Sequence, residues 1–447
     1  MNRYTIPSPA LSEPGDKAIN RIQDLRLVRV EKLRDEGIGS TRAWEITFKV
    51  PSLQQAGLGS AEEAAIKANQ IRAGMQIALL PVNNNARVER ALEGLKDVQR
   101  PQWKGNMATD TLVQGQLPGR DNAFIPPQML SPAQILAHTV DLTRPTKELM
   151  SLVMAESNEN WGSYATLPVE EFVNLEGIRG RLSLSDLQKW QPPLENRKYT
   201  PSRVDLKKGE ISLMVSDTPC SVQHPDGRTL HCHGSMMGYL SDVIDQFTPS
   251  QQPVIHGFLD VRKHKLPYHK DEAPKILIGT GVGIAPHLAY LRECAAEGKN
   301  PNVPLMIVGV RRESEQLRDN ELRGYLPRGT LQYAYSRPAL GEGQYVDTAL
   351  KANAKTVWQA LQAGGSLYLC GREDMRKGVD ATLLDIARTE GGKSLEDAKT
   401  WLKEVVYNKD NPKEHLLEES MSFHDRFYED KHKKRMAKLN PENGKTT

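Results

Sequence analysis

The sequence predicts a multidomain chain: a β-rich part interrupted by a helical segment, then an α/β part built on a parallel sheet. Three observations carry this. The chain has 447 residues, enough for about two or three domains with their own cores. Apolar residues alternate in short strands before residue 100 and again after residue 196, with helical spacing between. From about residue 272, continuous apolar strands alternate with amphipathic helices, the pattern of a parallel sheet covered on both faces.

Taken in order, residues 1–22 are polar and Pro-containing and read as disordered. Asp24–Leu33, Arg42–Val50 and Ala73–Asn83 read as strands, Ala86–Leu95 as a helix, and 60–70 as a helix or flexible insert. Ser131 followed by Pro132 is a helix start for a segment reaching Leu142. Helical spacing continues through Thr146–Ser157, Pro168–Ile178 and Ser183–Trp190. Strands return at Glu210–Asp217, Thr229–Gly234 and Pro253–Val261. In the last part the strands are "KILIG", "PLMIVGV", "LQYAYS" and "GSLYLCG". The helices are Ala285–Gly298, Ser314–Leu326, Val346–Gly364 and Met375–Gly391.

Bulk composition excludes several classes. Apolar residues make up 38%, charged residues 26%, and no run of about 18 apolar residues occurs. Mean hydropathy is −0.55. No membrane span is expected, and the N-terminus lacks the apolar core of a signal peptide, so the cytoplasm is the expected compartment. The four cysteines, Cys220, Cys232, Cys294 and Cys370, contain no CxxC pair. They form neither a disulfide framework nor an iron–sulfur site. A net charge of +3 is too small to argue for nucleic acid. One basic run, Lys431–Lys438, reads either as a solvated tail or as a docking patch for an acidic partner.

The chemistry gathers at strand ends. "KILIGTGVGIAPHLAYLRE", Lys275–Glu293, is a strand, a glycine-rich turn and a helix start. Gly279, Gly281 and Gly283 let backbone approach a ligand, and a helix N-terminus aims free N–H groups at it. Ligands of such sheets bind beyond the carboxyl ends of the strands. There the sequence also places Arg311 and Arg312, Ser336 and Arg337, and Cys370 with Arg372. Glycines, arginines, a serine and a cysteine on one edge suit a phosphorylated ligand with a reactive ring.

Further stretches carry a resemblance. "GMQIALLPVN", "VDLTRPTKELM", "NRKYTPS", "GTGVGIAP", "YLCG" and "LLDIARTEGGKSLEDAKTWLKEV" occur in that order. Together they make residues 23–432 resemble the reductase module of the sulfite reductase flavoprotein and cytochrome reductase family. Its members are ferredoxin–NADP reductase-like enzymes. The resemblance implies an antiparallel FAD-binding β-barrel, residues 23–99 and 196–270, with a helical connecting domain inserted at 100–195. An α/β NAD(P)-binding domain at 271–432 and a basic tail at 433–447 complete the expected division.

It also implies site residues. Arg197 holds the flavin pyrophosphate by bidentate bonds, Tyr199 stacks on the isoalloxazine, and the Thr200 hydroxyl reaches its N5 edge. Gly234 keeps the glycine of the pyrophosphate loop, whereas Met237 stands where that loop has a hydroxyl. Gly279, Gly281, Gly283 and Pro286 form the nicotinamide loop, with Val282 replacing a usual Thr. Ser336 and Arg337 resemble the 2′-phosphate site of NADP, and Tyr345 the residue stacked on adenine. Arg311 lies on the same edge. Gly343 and Asp347 stand where the family has Lys and Gln, which weakens but does not reverse the expectation of NADPH over NADH. Cys370 and Asp430 fit the residues beside the hydride path. His432 replaces the aromatic that covers the flavin in the pattern Arg426, Phe427, Asp430.

The reading is an FAD-dependent NAD(P)H oxidoreductase. Thr200, Cys370 and Asp430 line the transfer site. Only about 22 residues precede the first barrel strand, so no FMN domain is expected. The acceptor is then a separate redox protein, such as a flavodoxin, a ferredoxin, or a haem or iron–sulfur enzyme like a sulfite reductase. It is docked on the basic tail. The alternative is a catalytically degenerate subunit, since Met237, Val282, Gly343 and His432 each remove a contact. The stretch "CSVQHPDGRTLHCH" also raises a metal reading, but its spacing is irregular and suits a hairpin of the barrel better.

Overall fold

The structure is a computed structural model that describes residues 23–34, 41–51, 53, 71–98, 131–218, 220–260, 266, 268, 272–339, 341–371, 373–402 and 417–419. The expected disordered N-terminus, the 60–70 stretch and the basic tail lie outside them.

Seven antiparallel strands form the first sheet: β1 (Gln23–Arg34), β2 (Arg42–Lys49), β3 (Gln76–Leu79), β4 (Arg197–Tyr199), β5 (Arg203–Asp205), β6 (Glu210–Asp217) and β9 (Val254–Asp260). Their order is β4-β3-β9-β1-β2-β6-β5. The two edge strands, β4 and β5, are separated in sequence only by Thr200, Pro201 and Ser202. The sheet therefore curls until its edges approach, as in a barrel. Strand β2 shows how the faces divide. Trp44, Ile46 and Phe48 point into the barrel core. Ala43, Glu45 and Thr47 alternate with them and are buried as well, because the α/β part covers that face. Strand β6 repeats the pattern: Ile211, Leu213 and Val215 face inward, and Met214 faces the α/β part.

Between β3 and β4 lie α1 (Asn85–Gly94), α2 (Pro132–His138), α3 (Lys147–Ser151), α4 (Trp161–Tyr164), α5 (Val169–Phe172) and α6 (Leu184–Trp190). Side-chain caps start four of them. Asn84 accepts from Arg87 N–H, and Thr146 from Leu149 N–H. Ser131 with Gln134, and Ser183 with Asp186, form capping boxes. The helices surround one apolar core that includes Leu92, Leu136, Leu149, Phe172 and Leu187.

Strands β7 (Cys220–Gln223) and β8 (Thr229–Cys232) correct one expectation. They make the expected hairpin, but as a separate two-stranded sheet. Val222 belongs to the helical core, and Cys220, Leu230 and Cys232 pack against it, so the hairpin serves the helical segment. Helix α7 (Ser235–Asp245) returns to the barrel, burying Met236, Leu240 and Val243 in its core.

The last part is a parallel sheet in the order β12-β11-β10-β13-β14. Its strands are β10 (Lys275–Thr280), β11 (Leu305–Val310), β12 (Leu331–Tyr335), β13 (Ser366–Gly371) and β14 (Leu417–Glu419). Its helices are α8 (Ala285–Glu297), α9 (Asp319–Tyr325), α10 (Val346–Ala352), α11 (Ala354–Gln362), α12 (Glu373–Thr389) and α13 (Leu395–Trp401). Alternate strand residues serve the two faces. Leu277, Met306, Val308, Tyr368 and Cys370 meet α8 and α9. Ile276, Ile278, Ile307, Leu367 and Leu369 meet the other four helices. The chain runs outward from β10 to β12, then crosses to β13 on the other side of β10. That makes the β10–β13 boundary the switch point, where ligands of such sheets bind.

Two expected helices are broken. Ser314–Leu326 splits into a 3-10 turn, Glu313–Glu315, and α9, because Arg318 adopts a left-handed φ of 56°. Val346–Gly364 splits into α10 and α11 at Asn353. Its side chain bonds both Gln332 and the Ala349 carbonyl, an alternative to the helical ladder.

Candidate functional site

At the end of β10 the backbone leaves Gly279 and turns through the 3-10 segment Gly281–Ile284 into α8, with Pro286 in the first helical turn. Geometry favours glycine at two positions, by tight packing at the first and by backbone conformation at the second. A Cβ on Gly279 would sit 3.1–3.2 Å from Ile284 and the Gly283 carbonyl, and Gly281 has φ +53°. No side chain caps the 3-10 segment or α8. Ala285 N–H is taken by the Val282 carbonyl and Pro286 has none, so the N–H groups that can face an anion are those opening the 3-10 turn. His287 anchors this turn. It is fully buried, its Nε2–H donates to the Ile278 carbonyl (2.9 Å), and its Nδ1 accepts from Tyr268 (2.7 Å). Burial holds its pKa down at about 4, with the Ile278 bond opposing. Cys370 pairs in register with Gly279 across the switch point and is buried.

A second group sits on β4 and α7. Arg197 and Thr200 are buried. Tyr199 and Met237 each pack against the barrel core, and burial raises the Tyr199 phenol. The Thr200 Oγ1 is buried and has no hydrogen-bond partner among the described residues. A hydroxyl in that condition costs stability unless a ligand completes it. Gly234 is the N-cap of α7, without a side-chain bond, and a Cβ there would meet nothing within 4 Å.

A third group lies at the ends of β11 and β12. Ser336 N–H donates to the Val310 carbonyl (3.0 Å) and Arg337 N–H to that of Arg311 (2.8 Å). Arg311 pairs with Glu315 at 2.9 Å. Gly343 is packed so closely that its Cβ would fall 2.5 Å from the Ser336 carbonyl. The position that carries Lys in the resembled family has no room here for a side chain. Tyr345 follows, 66% exposed at the start of α10. An exposed ring beside a serine and an arginine is a surface for a base and its phosphate.

Joining the groups is a cluster of charges that sequence reasoning missed. Glu45 of β2 accepts from Arg292 of α8 at 2.6 Å, from the Ser202 hydroxyl and from Arg318. Arg292 also donates to Glu321 (2.7 Å) and to the Ser202 carbonyl (3.0 Å). Arg318 completes the set with Glu31 at 2.6 Å. Burial alone would raise the Glu45 carboxyl, but Arg292, Ser202 and Arg318 together outweigh it and hold its pKa at about 2. Arg292 is buried too, yet Glu321 and Glu45 raise it further. Ser202 lies two residues beyond Thr200, and Arg292 is on the helix that opens with the glycine turn. The cluster therefore ties the Thr200 corner of the barrel to the helix of the nucleotide-type turn.

Asp430 and His432, together with Arg426, Phe427 and Arg372, lie outside the described residues. Among the described residues no cluster of His, Cys, Asp or Glu has the arrangement to hold a metal, and no helix is long and apolar enough to cross a membrane.

Comparison with known proteins agrees with this geometry. Residues 277–381 match the family described as the oxidoreductase NAD-binding domain. The Shewanella sp. (strain MR-4) sulfite reductase (NADPH) flavoprotein alpha-component is 34% identical over 157 residues, 34% of this chain and 26% of its own. The Vibrio cholerae protein of the same name (serotype O1, strain El Tor Inaba) is 27% identical over 314 residues, 65% of this chain and 48% of its own. NADPH–cytochrome P450 reductase of Drosophila melanogaster is 26% identical over 280 residues, 59% of this chain and 40% of its own. The chain thus spans a quarter to about half of the relatives it matches. The resemblance to the reductase module of these flavoproteins is shown, and the chain carries an oxidoreductase NAD-binding domain.

Proposed function

We propose that the protein is an FAD-dependent oxidoreductase that oxidises NADPH in preference to NADH and passes the electrons to a separate redox protein. The observation that carries this is the switch-point arrangement. A capless helix N-terminus and Gly279–Gly283 adjoin Cys370, while a buried hydroxyl at Thr200 waits for a partner on the barrel. The barrel with its helical insertion is assigned to FAD, and the parallel sheet to the nicotinamide nucleotide. FAD, when bound, would accept a hydride and release electrons singly.

The chain's own residues supply position and electrostatics. Arg197 offers a guanidinium fork to a pyrophosphate, and the open space at Gly234 admits that group beside the N-terminus of α7. Tyr199, seated on the barrel core, presents a ring face for stacking. The Thr200 hydroxyl donates a hydrogen bond to an acceptor on the ring edge, which satisfies the buried atom. Ser336 and Arg337 bind a 2′-phosphate, and Tyr345 stacks on the base. Cys370 borders the transfer path, and the sequence resemblance assigns Asp430 a role in the same step. Glu45 and Arg292 hold the two halves at a fixed separation, and Arg318 completes the link.

The relatives' printed names support NADPH as donor, and the absent side chain at Gly343 shifts the 2′-phosphate contact onto Ser336 and Arg337. The acceptor belongs to the class of haem or iron–sulfur enzymes and small carriers, and the basic run Lys431–Lys438 suits an acidic one. The test is reconstitution with FAD followed by dye reduction with ferricyanide. Turnover with NADPH is expected, with Arg337→Ala raising KM for NADPH about tenfold and leaving KM for NADH unchanged, a loss of roughly 1.4 kcal/mol. Stoichiometric FAD binding without turnover would overturn the enzyme reading in favour of a scaffold subunit.

A further inference from the structure

Strands β7 and β8 set two cysteines against each other. Cys220 and Cys232 are direct partners in the antiparallel register, so both side chains leave the same face of the hairpin. The closing turn fixes the bonding phase: His224 N–H donates to the Arg228 carbonyl at 2.8 Å. Bonded and non-bonded pairs alternate from that point. The cysteines lie four residues further along each strand, which makes them a hydrogen-bonded pair with Cα atoms about 5.5 Å apart. Disulfides span Cα separations of roughly 4.4–6.8 Å. Both thiols are free and only partly buried, in contrast to the buried Cys294 and Cys370. Burial raises the Cys232 thiol to about 11, and the neighbouring Cys220 contributes to that rise.

The position of the pair gives it a consequence. The hairpin is an excursion between the end of β6 and the start of α7. Its two ends already meet where His233 Nδ1 and Arg42 bond Asp217, at 2.8 and 2.6 Å. Cys232 directly precedes His233 and Gly234.

We propose that Cys220 and Cys232 are an oxidisable dithiol. Exchange with a small-molecule disulfide joins them in a reversible cross-strand bond that tethers the Gly234 loop. One cysteine thiolate attacks a sulfur of oxidised glutathione, which forms a mixed disulfide and expels a glutathione thiolate. The second cysteine attacks the protein-bound sulfur, closes the Cys220–Cys232 bond and expels a second glutathione thiolate. The two cysteine protons pass to the two departing thiolates. The dithiol loses two electrons and the glutathione disulfide gains them.

The full-length chain is incubated with oxidised glutathione, alkylated and digested with trypsin, which cuts at Arg228 between the two cysteines. The expected product is the Cys220 peptide linked to the Cys232 peptide and separable by dithiothreitol. Cys294 and Cys370 remain alkylatable after denaturation. Cys220→Ser is expected to abolish the linked peptide. Recovery of Cys220 and Cys232 as free thiols, or only as separate glutathione adducts, would overturn the proposal. The tether itself rests on the flavin reading and is tested by FAD release from the loaded protein, expected to be at least a few-fold slower when oxidised. Equal release rates would overturn the tether. A chain that binds no FAD would overturn the flavin reading, while the peptide map decides the disulfide independently.

Discussion

The helical insertion and the seam between barrel and α/β sheet are held together by opposite means. The insertion buries Leu92, Leu136, Leu149, Phe172 and Leu187 in one apolar core, with its helix ends satisfied by Ser, Thr and Asn caps. The seam has an apolar part too, where Ala43 and Met214 meet Ile284 and Leu288. Its distinguishing feature is the buried pair Glu45 and Arg292, extended by the half-buried Arg318 and Glu321. An apolar core tolerates small shifts because burial is non-directional. Charged hydrogen bonds fix distance and angle, and they do so between the Thr200 corner and the glycine turn. The difference teaches that the insertion is built for stability and the seam for orientation.

The comparison can be broken at the seam. Glu45→Ala removes the buried carboxylate that Arg292 and Arg318 share, leaving them only Glu321 and Glu31, and is expected to cost about 3 kcal/mol, the lower end for breaking a buried pair, read by urea unfolding. Leu136→Ala, at a position with no exposure, is expected to cost about 2–5 kcal/mol through its cavity. The two differ in their pH response. The Leu136→Ala loss is the same at any pH, whereas the Glu45→Ala loss shrinks in acid. Glu45 has its folded pKa depressed to about 2 from 4.5. Its contribution is present above pH 4.5 and is lost as pH falls toward 2.

His287 sharpens the contrast. Its folded pKa is about 4 against an unfolded 6.5, so between those values the unfolded chain binds the extra proton. Stability at neutral pH is therefore lost as pH falls from 6.5 to 4, on the order of 3 kcal/mol. A His287→Gln variant is expected to show a flat profile across that window, measured by denaturant midpoints. An unchanged slope would contradict the assignment. The smallest effect belongs to the insertion: Ser183→Ala removes a capping box at about 1 kcal/mol, visible as a lower Tm with no change at the seam.

What the sequence made legible follows the reach of each interaction. Strands β10 to β13 of the parallel sheet were readable because their apolar residues serve both faces, so each is a nearly continuous apolar run; β14, with the sequence Leu-Glu-Glu, carried no such signal. The cap at Ser131 was readable because its partner lies three residues on; Ser183 has the same local arrangement but was read only as part of a helical stretch. The glycine turn was readable as a turn, since Gly279 and Gly281 answer to local sterics. Glu45 was not. It sits in "RAWEITFKV" like any polar residue on an outer strand face, and its partner Arg292 is 247 residues away. His287 was missed for the same reason, because Tyr268 and Ile278 reach it only through the fold. The breaks at Arg318 and Asn353 escaped helical periodicity because apolar spacing continues across them. The hairpin of Cys220 and Cys232 was recognised, but its attachment to the insertion depends on packing that no local pattern encodes.

The central claim is that the seam brings a nicotinamide against a ring held at Tyr199 and Thr200. Anaerobic mixing of the FAD-loaded protein with NADPH tests it most directly, with flavin absorbance as the readout. Bleaching is predicted, slower in Glu45→Gln at unchanged FAD content. A loaded protein that binds NADPH while its flavin absorbance stays constant would contradict it.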